Sequence, residues 1–305
     1  MKVYESPAYL PCILTWGVFD GVHRGHQQVL LRTISWARER NLVSVVLTFK
    51  QHPETVLRGS SPPLVTSLQH RLLLMRKLGI DAAVVLDFDR GLAETTAEHF
   101  VKDILLGRIG ARGLVLGFNC TFGKNASGDY RVLERIAAEQ NVPTREVRPA
   151  YYKGRPISST AIRKAIMDGN LAAASEMLGR PVSLFGTVVE GAGRGKGLGF
   201  PTANLELHHE VHPPPGVYLC YAHVEGKRLS ALTSIGTRPT FDDGVPSPTV
   251  EVHLIEFSGD VYGTNLEIEV VEKLRDQIKF GSAEALSKQI GADVAVARRK
   301  LGGRS

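Results

Sequence analysis

The chain has 305 residues, 43% hydrophobic and 22% charged; that length exceeds what one core usually serves, so it reads as two globular domains rather than a disordered chain. No apolar run reaches the ~18 residues of a membrane span, and MKVYESPAYLPC lacks the pattern of a signal peptide. Cys12, Cys120 and Cys220 form no CxxC pair, which argues against a disulfide framework or a cysteine zinc site and makes the cytoplasm the expected location.

The net charge of +6 is uneven. Residues 1–182 hold 24 Lys+Arg against 16 Asp+Glu, a net +8, and residues 183–305 hold 13 against 15, a net −2. A basic half suits phosphate-rich ligands, nucleotides or nucleic acid, although a solvated basic surface has the same composition.

In chain order, Cys12–Trp16 is a short apolar run, followed by GVFDGVHRGH, Gly17–His26. Gln27 to Arg40 then puts Val29, Leu30, Ile34 and Ala37 on one helical face. Leu42–Phe49, Ala82–Leu86 and Gly113–Gly117 read as buried strands. Between them lie helical patterns at Gln69–Leu78 and after Thr95-Thr96-Ala97-Glu98, which reads as a capping box. Strand–helix alternation predicts a parallel sheet with helices on both faces and ligands at the strands' carboxyl ends. Ser159–Asp168 and Leu171–Leu178 read as helices closed by Gly169 and Gly179, and Arg180-Pro181 as a boundary, giving domains 1–182 and 183–305.

The second half changes character. Phe185–Val189, Val217–Val224, Leu229–Ile235, Val250–Phe257 and Leu266–Val271 are short strands between Gly-, Pro- and Asp-rich turns, with a hairpin turn at Val224–Lys227. This pattern predicts a small barrel or a sandwich. A helix over Ser282–Lys300 closes the chain.

His23 and His26 stand three residues apart around Gly25 at a helix start. Zinc-binding helices favour a spacing of four, so the preferred reading is a phosphate site: free amides and the helix dipole attract anions there, and two imidazoles can stabilise charge in a transition state. Capping by buried histidines is the plainer alternative. Ser158, Ser159 and Thr160 offer hydroxyls at a second helix start, with Arg163 one turn further on. GAGRGKGLGFPTANL, Gly191–Leu205, is neither a Walker A loop nor GxGxxG. Its Thr202 and Asn204 place two oxygen donors on one side of an extended chain, which suits Mg²⁺ beside ATP phosphates. The glycines before them suit wrapping of phosphates by backbone amides. Alternation along Val250–Leu254 puts Glu251 on the face opposite Val250 and Val252.

GVFDGVHRGH resembles the HxGH motif of nucleotidyltransferases. With TFKQHP (Thr48–Pro53), GFNCTFGKNASGD (Gly117–Asp129) and ISSTAIR (Ile157–Arg163), it is similar to the adenylyltransferase half of bacterial bifunctional riboflavin kinase/FAD synthetases. GRGKGLGFPTAN, PGVY (Pro215–Tyr218), SIGTRPTF (Ser234–Phe241), VEVHLIEF (Val250–Phe257) and LRDQIKF (Leu274–Phe280) resemble the riboflavin kinase half in order. Departures stand at Asn119 and Thr121, where the family often has an acidic and a basic residue. Others are Ser234 for Asn, Glu256 for Asp and Gln277 for Glu.

The resemblance implies a Rossmann-like HxGH domain followed by a small β-barrel kinase domain with a terminal helix. It implies riboflavin phosphorylation by Mg-ATP to FMN in the second half, and adenylylation of FMN by a second ATP to FAD in the first. It assigns catalysis to Glu251 as general base, His23, His26 and Arg163. Expected nucleotide or flavin contacts are Gly17, Phe19, Asp20, Gly25, Asn119, Ser158, Ser159, Thr160, Gly193, Arg194, Gly195, Lys196, Gly199 and Arg275, and expected metal donors are Thr202 and Asn204. Phe122 is read as packing and His52 as structural or functional. Small-molecule partners are expected, with no nucleic acid or membrane; a homo-oligomer is left open. The competing readings are another HxGH adenylyltransferase, which leaves PTAN and Glu251 without a role, and a non-enzymatic flavin- or nucleic-acid-binding protein.

Overall fold

The computed structural model describes residues 1–190, 199–208, 211–238 and 247–302. The expected contacts Gly193, Arg194, Gly195 and Lys196 lie outside the described residues. The chain divides into two compact units, Met1–Ala161 and Ile162–Ser305.

In the first unit, β1 (Lys2–Tyr4), β2 (Cys12–Trp16), β3 (Val43–Phe49), β4 (Ala82–Leu86), β5 (Ala111–Gly117) and β6 (Thr144–Val147) form a six-stranded sheet in the order β1-β4-β3-β2-β5-β6. Every pairing in it is parallel. Successive side chains of a strand feed opposite faces. Thus Cys12, Leu14, Trp16, Val45 and Leu47 join one core with Phe100, Leu105 and Ile136, while Ile13 and Val46 join the other with Leu30, Trp36 and Met75. The helices covering these faces include α1 (Arg24–Glu39), α3 (Leu68–Leu78) and α6 (Tyr130–Glu139), with short helices α2 (Pro53–Arg58), α4 (Arg90–Ala93) and α5 (Ala97–His99). Strand order reverses at β2, between β3 and β5. That switch point is where an open parallel sheet leaves a crevice for ligands, and GVFDGVHRGH emerges there.

The helix is capped one residue later than the expected capping box, by a single N-cap hydroxyl. Thr96, not Thr95, accepts from His99 N at 3.1 Å, while Thr95 Oγ1 donates to Gly91 O. The helix it opens continues as a π-helix over Phe100–Arg108.

A short hairpin, β7 (Tyr151–Tyr152) and β8 (Arg155–Pro156), leads into α7 (Ser159–Met167) and α8 (Leu171–Leu178). The division between the units falls within α7. The reason is packing: α8 lies against β9, and Leu171 joins the core of the second unit.

That second unit is a closed antiparallel barrel, not a sandwich. Strands β9 (Val182–Val189), β10 (Ala203–Leu207), β11 (Gly216–Val224), β12 (Lys227–Arg238), β13 (Ser247–Leu254) and β14 (Asn265–Arg275) run β10-β13-β12-β11-β14-β9, and β9 closes on β10. The expected Val224–Lys227 hairpin joins β11 to β12, with Glu225 (φ 48°) and Gly226 (φ 78°) both left-handed, the geometry a two-residue turn needs. Leu184, Tyr218, Cys220, Val250, Val252 and Ile268 fill the barrel. Outside it, α9 (Ala283–Leu301) lays Val294, Ala297 and Leu301 on Val217, Leu219 and Leu232.

Candidate active sites

The first site is built on a contorted turn. Phe19 (φ 55°), Gly21 (φ 79°) and Val22 (φ 41°) all take left-handed backbone, which is costly for a β-branched valine. Surrounding bonds hold it. The Asp20 carboxylate, 3% exposed, accepts from Val65 N at 2.9 and 3.1 Å and from Thr66 N at 2.9 Å. Gly21 N donates to Thr66 Oγ1 at 2.8 Å, and Gln27 Nε2 donates to Val22 O at 2.8 Å.

The turn delivers His23 as the N-cap of α1, its Nδ1 accepting from His26 N at 3.4 Å. The two imidazoles stack, with centroids 3.6 Å apart and planes 19° apart. Gly25 leaves room for the His23 ring, since a Cβ there would lie a tight 3.2 Å from it. Phe19 packs edge-on against His26 at 5.3 Å. The Nδ1 of His26 is enclosed and unpaired among the described residues, and the residue as a whole is half-buried. Burial, then His23 and Arg71, push the His26 imidazole well below its usual range. The ring is therefore neutral at physiological pH, one nitrogen a donor and the other an acceptor.

The SST segment meets this turn: Ser159 Oγ donates to Asp20 O at 2.9 Å. Ser158 Oγ accepts from Ala161 N at 3.3 Å and caps α7, Thr160 is exposed, and Arg163 is half-buried one turn along the same helix. Asn119 is exposed in the left-handed turn after β5, at the same carboxyl edge of the sheet as the HxGH turn. Phe122 packs on Trp16 at 5.4 Å, as read from sequence. His52 caps α2, its Nδ1 accepting from Glu54 N at 3.2 Å. Asp20 and Phe19 shape the turn from inside. Arg71, a buried cation on α3 that the sequence reading did not single out, donates to Val18 O and to Phe49 O.

The second site lies on the outer face of the barrel. Ala203 and Leu205 point into the core, so Thr202 and Asn204 alternate outward. Asn204 pairs in register with Glu251, Glu251 with Ser234, Ser234 with Val217, and Val217 with Arg275. A cleft of about 520 Å³ opens over this row, lined by Thr202, Glu251, Arg275, Gln277, Phe280 and Asp293 among others. The Glu251 side chain makes no hydrogen bond or ion pair among the described residues, and it lines the cleft. Gly199, at φ 83°, has open space where a Cβ would stand.

Arg275 is fixed in the cleft wall. Its Nε donates to Asp293 at 3.0 and 3.2 Å and its Nη2 at 2.8 Å, and Gln289 Nε2 donates to the same carboxylate at 2.9 Å. Asp293 was missed in sequence. The available signal was a carboxylate within the apolar stripe of α9 formed by Ile290, Val294, Ala297 and Leu301, where only a paired charge is tolerated. His253, also missed, contacts Pro201 O through Nδ1 at 2.8 Å and braces the start of PTAN. The two departures Ser234 and Gln277 touch: Gln277 Nε2 donates to Ser234 Oγ at 3.3 Å.

Among the described residues, no three His, Cys, Asp or Glu side chains gather to hold a metal, and no helix is long and apolar enough to cross a membrane. Residues 6–161 match the FAD synthetase family and residues 178–301 the riboflavin kinase family. The chain is 36% identical over 293 residues to the bifunctional riboflavin kinase/FMN adenylyltransferase of Escherichia coli K12, covering 95% of this chain and 93% of that protein. It is 33% identical over 285 residues to the protein of the same name from Bacillus subtilis, covering 92% and 90%. A crystal structure described as a macrolide-efflux protein from Streptococcus pneumoniae superposes with a TM-score of 0.81 at 30% identity, covering 97% of this chain and 98% of that one. Two sites built on two folds, each matched in order, lead to one conclusion: the chain belongs to the bifunctional riboflavin kinase/FMN adenylyltransferase family.

Proposed function

We propose that the chain makes FAD in two steps. The barrel unit phosphorylates riboflavin with ATP, giving FMN and ADP; the parallel-sheet unit transfers AMP from a second ATP to FMN, giving FAD and diphosphate. The domains are taken as 1–182 and 183–305. The observation that carries the reading is a pair of unlike phosphate-chemistry sites in one chain: stacked histidines at a helix N-terminus, and an unpaired Glu251 in register with Asn204. Another HxGH adenylyltransferase would leave the barrel site without a use.

In the kinase site, Glu251 accepts the proton of the ribityl 5′-hydroxyl as that oxygen attacks the γ-phosphorus of ATP. Thr202 and Asn204 offer a hydroxyl and an amide oxygen, donors that fit Mg²⁺, which keeps several waters and bridges phosphates. Bound there, the ion would neutralise phosphate charge. Gly193, Arg194, Gly195, Lys196 and Gly199 are the residues assigned to phosphate binding, and Arg275, set by Asp293, holds the flavin side of the cleft. In the adenylyltransferase site, Gly17 and Gly25 admit phosphate close to backbone. His23 and His26 donate to oxygens on the α-phosphorus as charge builds, and Ser158, Ser159, Thr160 and Arg163 hold the departing diphosphate. Asn119 contacts flavin or nucleotide. Both steps are in-line displacements without a covalent enzyme intermediate. The setting is cytoplasmic, with small-molecule partners only.

The test is chromatography of flavins after incubating the protein with riboflavin, ATP and Mg²⁺. The wild type should yield FMN, then FAD. Glu251→Gln should make neither from riboflavin yet convert supplied FMN to FAD; His23→Ala should stall at FMN. A wild type that binds flavin and turns over nothing refutes the enzymatic reading.

A further inference from the structure

Arginine is almost never fully buried without a dedicated role for its charge. Arg71, on α3, is 1% exposed. Its guanidinium reaches two carbonyls on different strand ends, Nη1 to Val18 O and Nη2 to Phe49 O, the latter at 3.3 Å. Val18 lies in the strained turn that carries His23; Phe49 ends β3. The residues just before α3 supply the other tethers to that turn, through Val65, Thr66 and Asp20. The strain at Phe19 and Val22 needs such over-determination to persist.

We infer that Arg71 is a positioning residue for adenylyl transfer, its two-pronged donor locking the ends of β2 and β3 so that the His23–His26 pair is presented in one geometry. This rests on the adenylyltransferase reading of the first unit. A lysine, with a single point of donation, cannot span both carbonyls as a planar fork does. Arg71 also bears on His26 by charge. Among the described residues, the charged groups that bear on that ring are His23, stacked on it, and Arg71 from α3, and the Asp20 carboxylate bears in turn on Arg71. Arg71 disfavours the imidazolium. Removing its charge raises the His26 pKa toward the usual histidine value, so the acid limb of adenylyl transfer moves to higher pH.

The experiment uses the full chain with Arg71→Met and Arg71→Lys, measuring both activities in each. For Arg71→Met, kcat for FAD formation from FMN should fall about 100-fold, the scale of an ångström's misplacement, with KM values within about threefold of wild type. Its acid limb should shift upward, and riboflavin phosphorylation should stay within about twofold, as expected of a site that Arg71 does not touch. Arg71→Lys, which keeps the charge and loses the fork, should lose about tenfold in kcat with an unshifted pH profile, and it decides the matter if the methionine variant fails to fold. Wild-type kcat in either variant overturns the inference. A wild type that makes no FAD from FMN overturns the adenylyltransferase reading itself.

Discussion

Asp293 illustrates how a residue far from any motif shapes a site. It is 5% exposed and carries a charge that burial would forbid without Arg275, to which it is joined by three contacts. Breaking a buried pair by removing one partner costs about 3 kcal/mol, because the other charge is stranded. Alanine favours helix more than aspartate does, so any loss in Asp293→Ala arises from the pair and not from the helix. That variant should lower the melting temperature of the barrel unit and raise KM for riboflavin, while FAD formation from supplied FMN continues; unchanged melting and KM would show that Arg275 holds its place unaided. The difference between Asp293 and the histidine pair explains what sequence could reveal. His23, Gly25 and His26 are local, so their spacing alone suggests a helix N-terminus. Arg275 and Asp293 meet only because α9 docks on the barrel, and Gln277, just after β14, meets Ser234 of β12 only across β11. Arg71 was obscured by its setting in an ordinary helical pattern.

Among the elements, the apolar runs of β2 to β5 and the cap at Gly179 were legible, since burial on both faces and left-handed C-caps leave direct traces in composition. β10 was read only as extended chain because its PTAN start lacks strand composition; pairing to β9 and β13 makes it a strand. The sequence left barrel and sandwich open for a similar reason: closure depends on β9 meeting β10, a non-local fact. That seam has a glycine whose need is plain. A Cβ on Gly186 would stand 2.1 Å from Glu206 O and 2.9 Å from a Leu205 side-chain carbon, and backbone cannot yield as a flexible side chain does. Gly186→Ala should therefore push β9 and β10 apart, at a cost on the order of 1–3 kcal/mol. Because β10 carries Asn204 in register with Glu251, riboflavin kinase activity should fall along with stability. Thermal melts with paired assays would check this; an alanine variant with native melting and kinase activity would show that the seam adapts.

At the scale of the whole molecule, the uneven charge acquires a use. The +8 of residues 1–182 and the −2 of residues 183–305 follow the chemistry proposed for each half: the first binds two phosphorylated substrates, FMN and ATP, and the second binds neutral riboflavin with ATP. Surface fields of this kind act over roughly a Debye length, about 10 Å at 0.1 M salt and about 3 Å at 1 M. Added salt should therefore weaken capture of FMN more than capture of riboflavin, since only FMN has a charge for the field to act on. Raising KCl from about 0.05 M to about 0.5 M should increase KM for FMN several-fold and change KM for riboflavin by less than about twofold, with ATP held saturating for each reaction. Choosing KM avoids confusion with ionic effects on the chemical steps, and comparing two flavins in one chain cancels effects on folding. Equal sensitivity of both KM values would mean that the charge excess is a solvated surface, and that FMN is held by short-range contacts at the HxGH site alone.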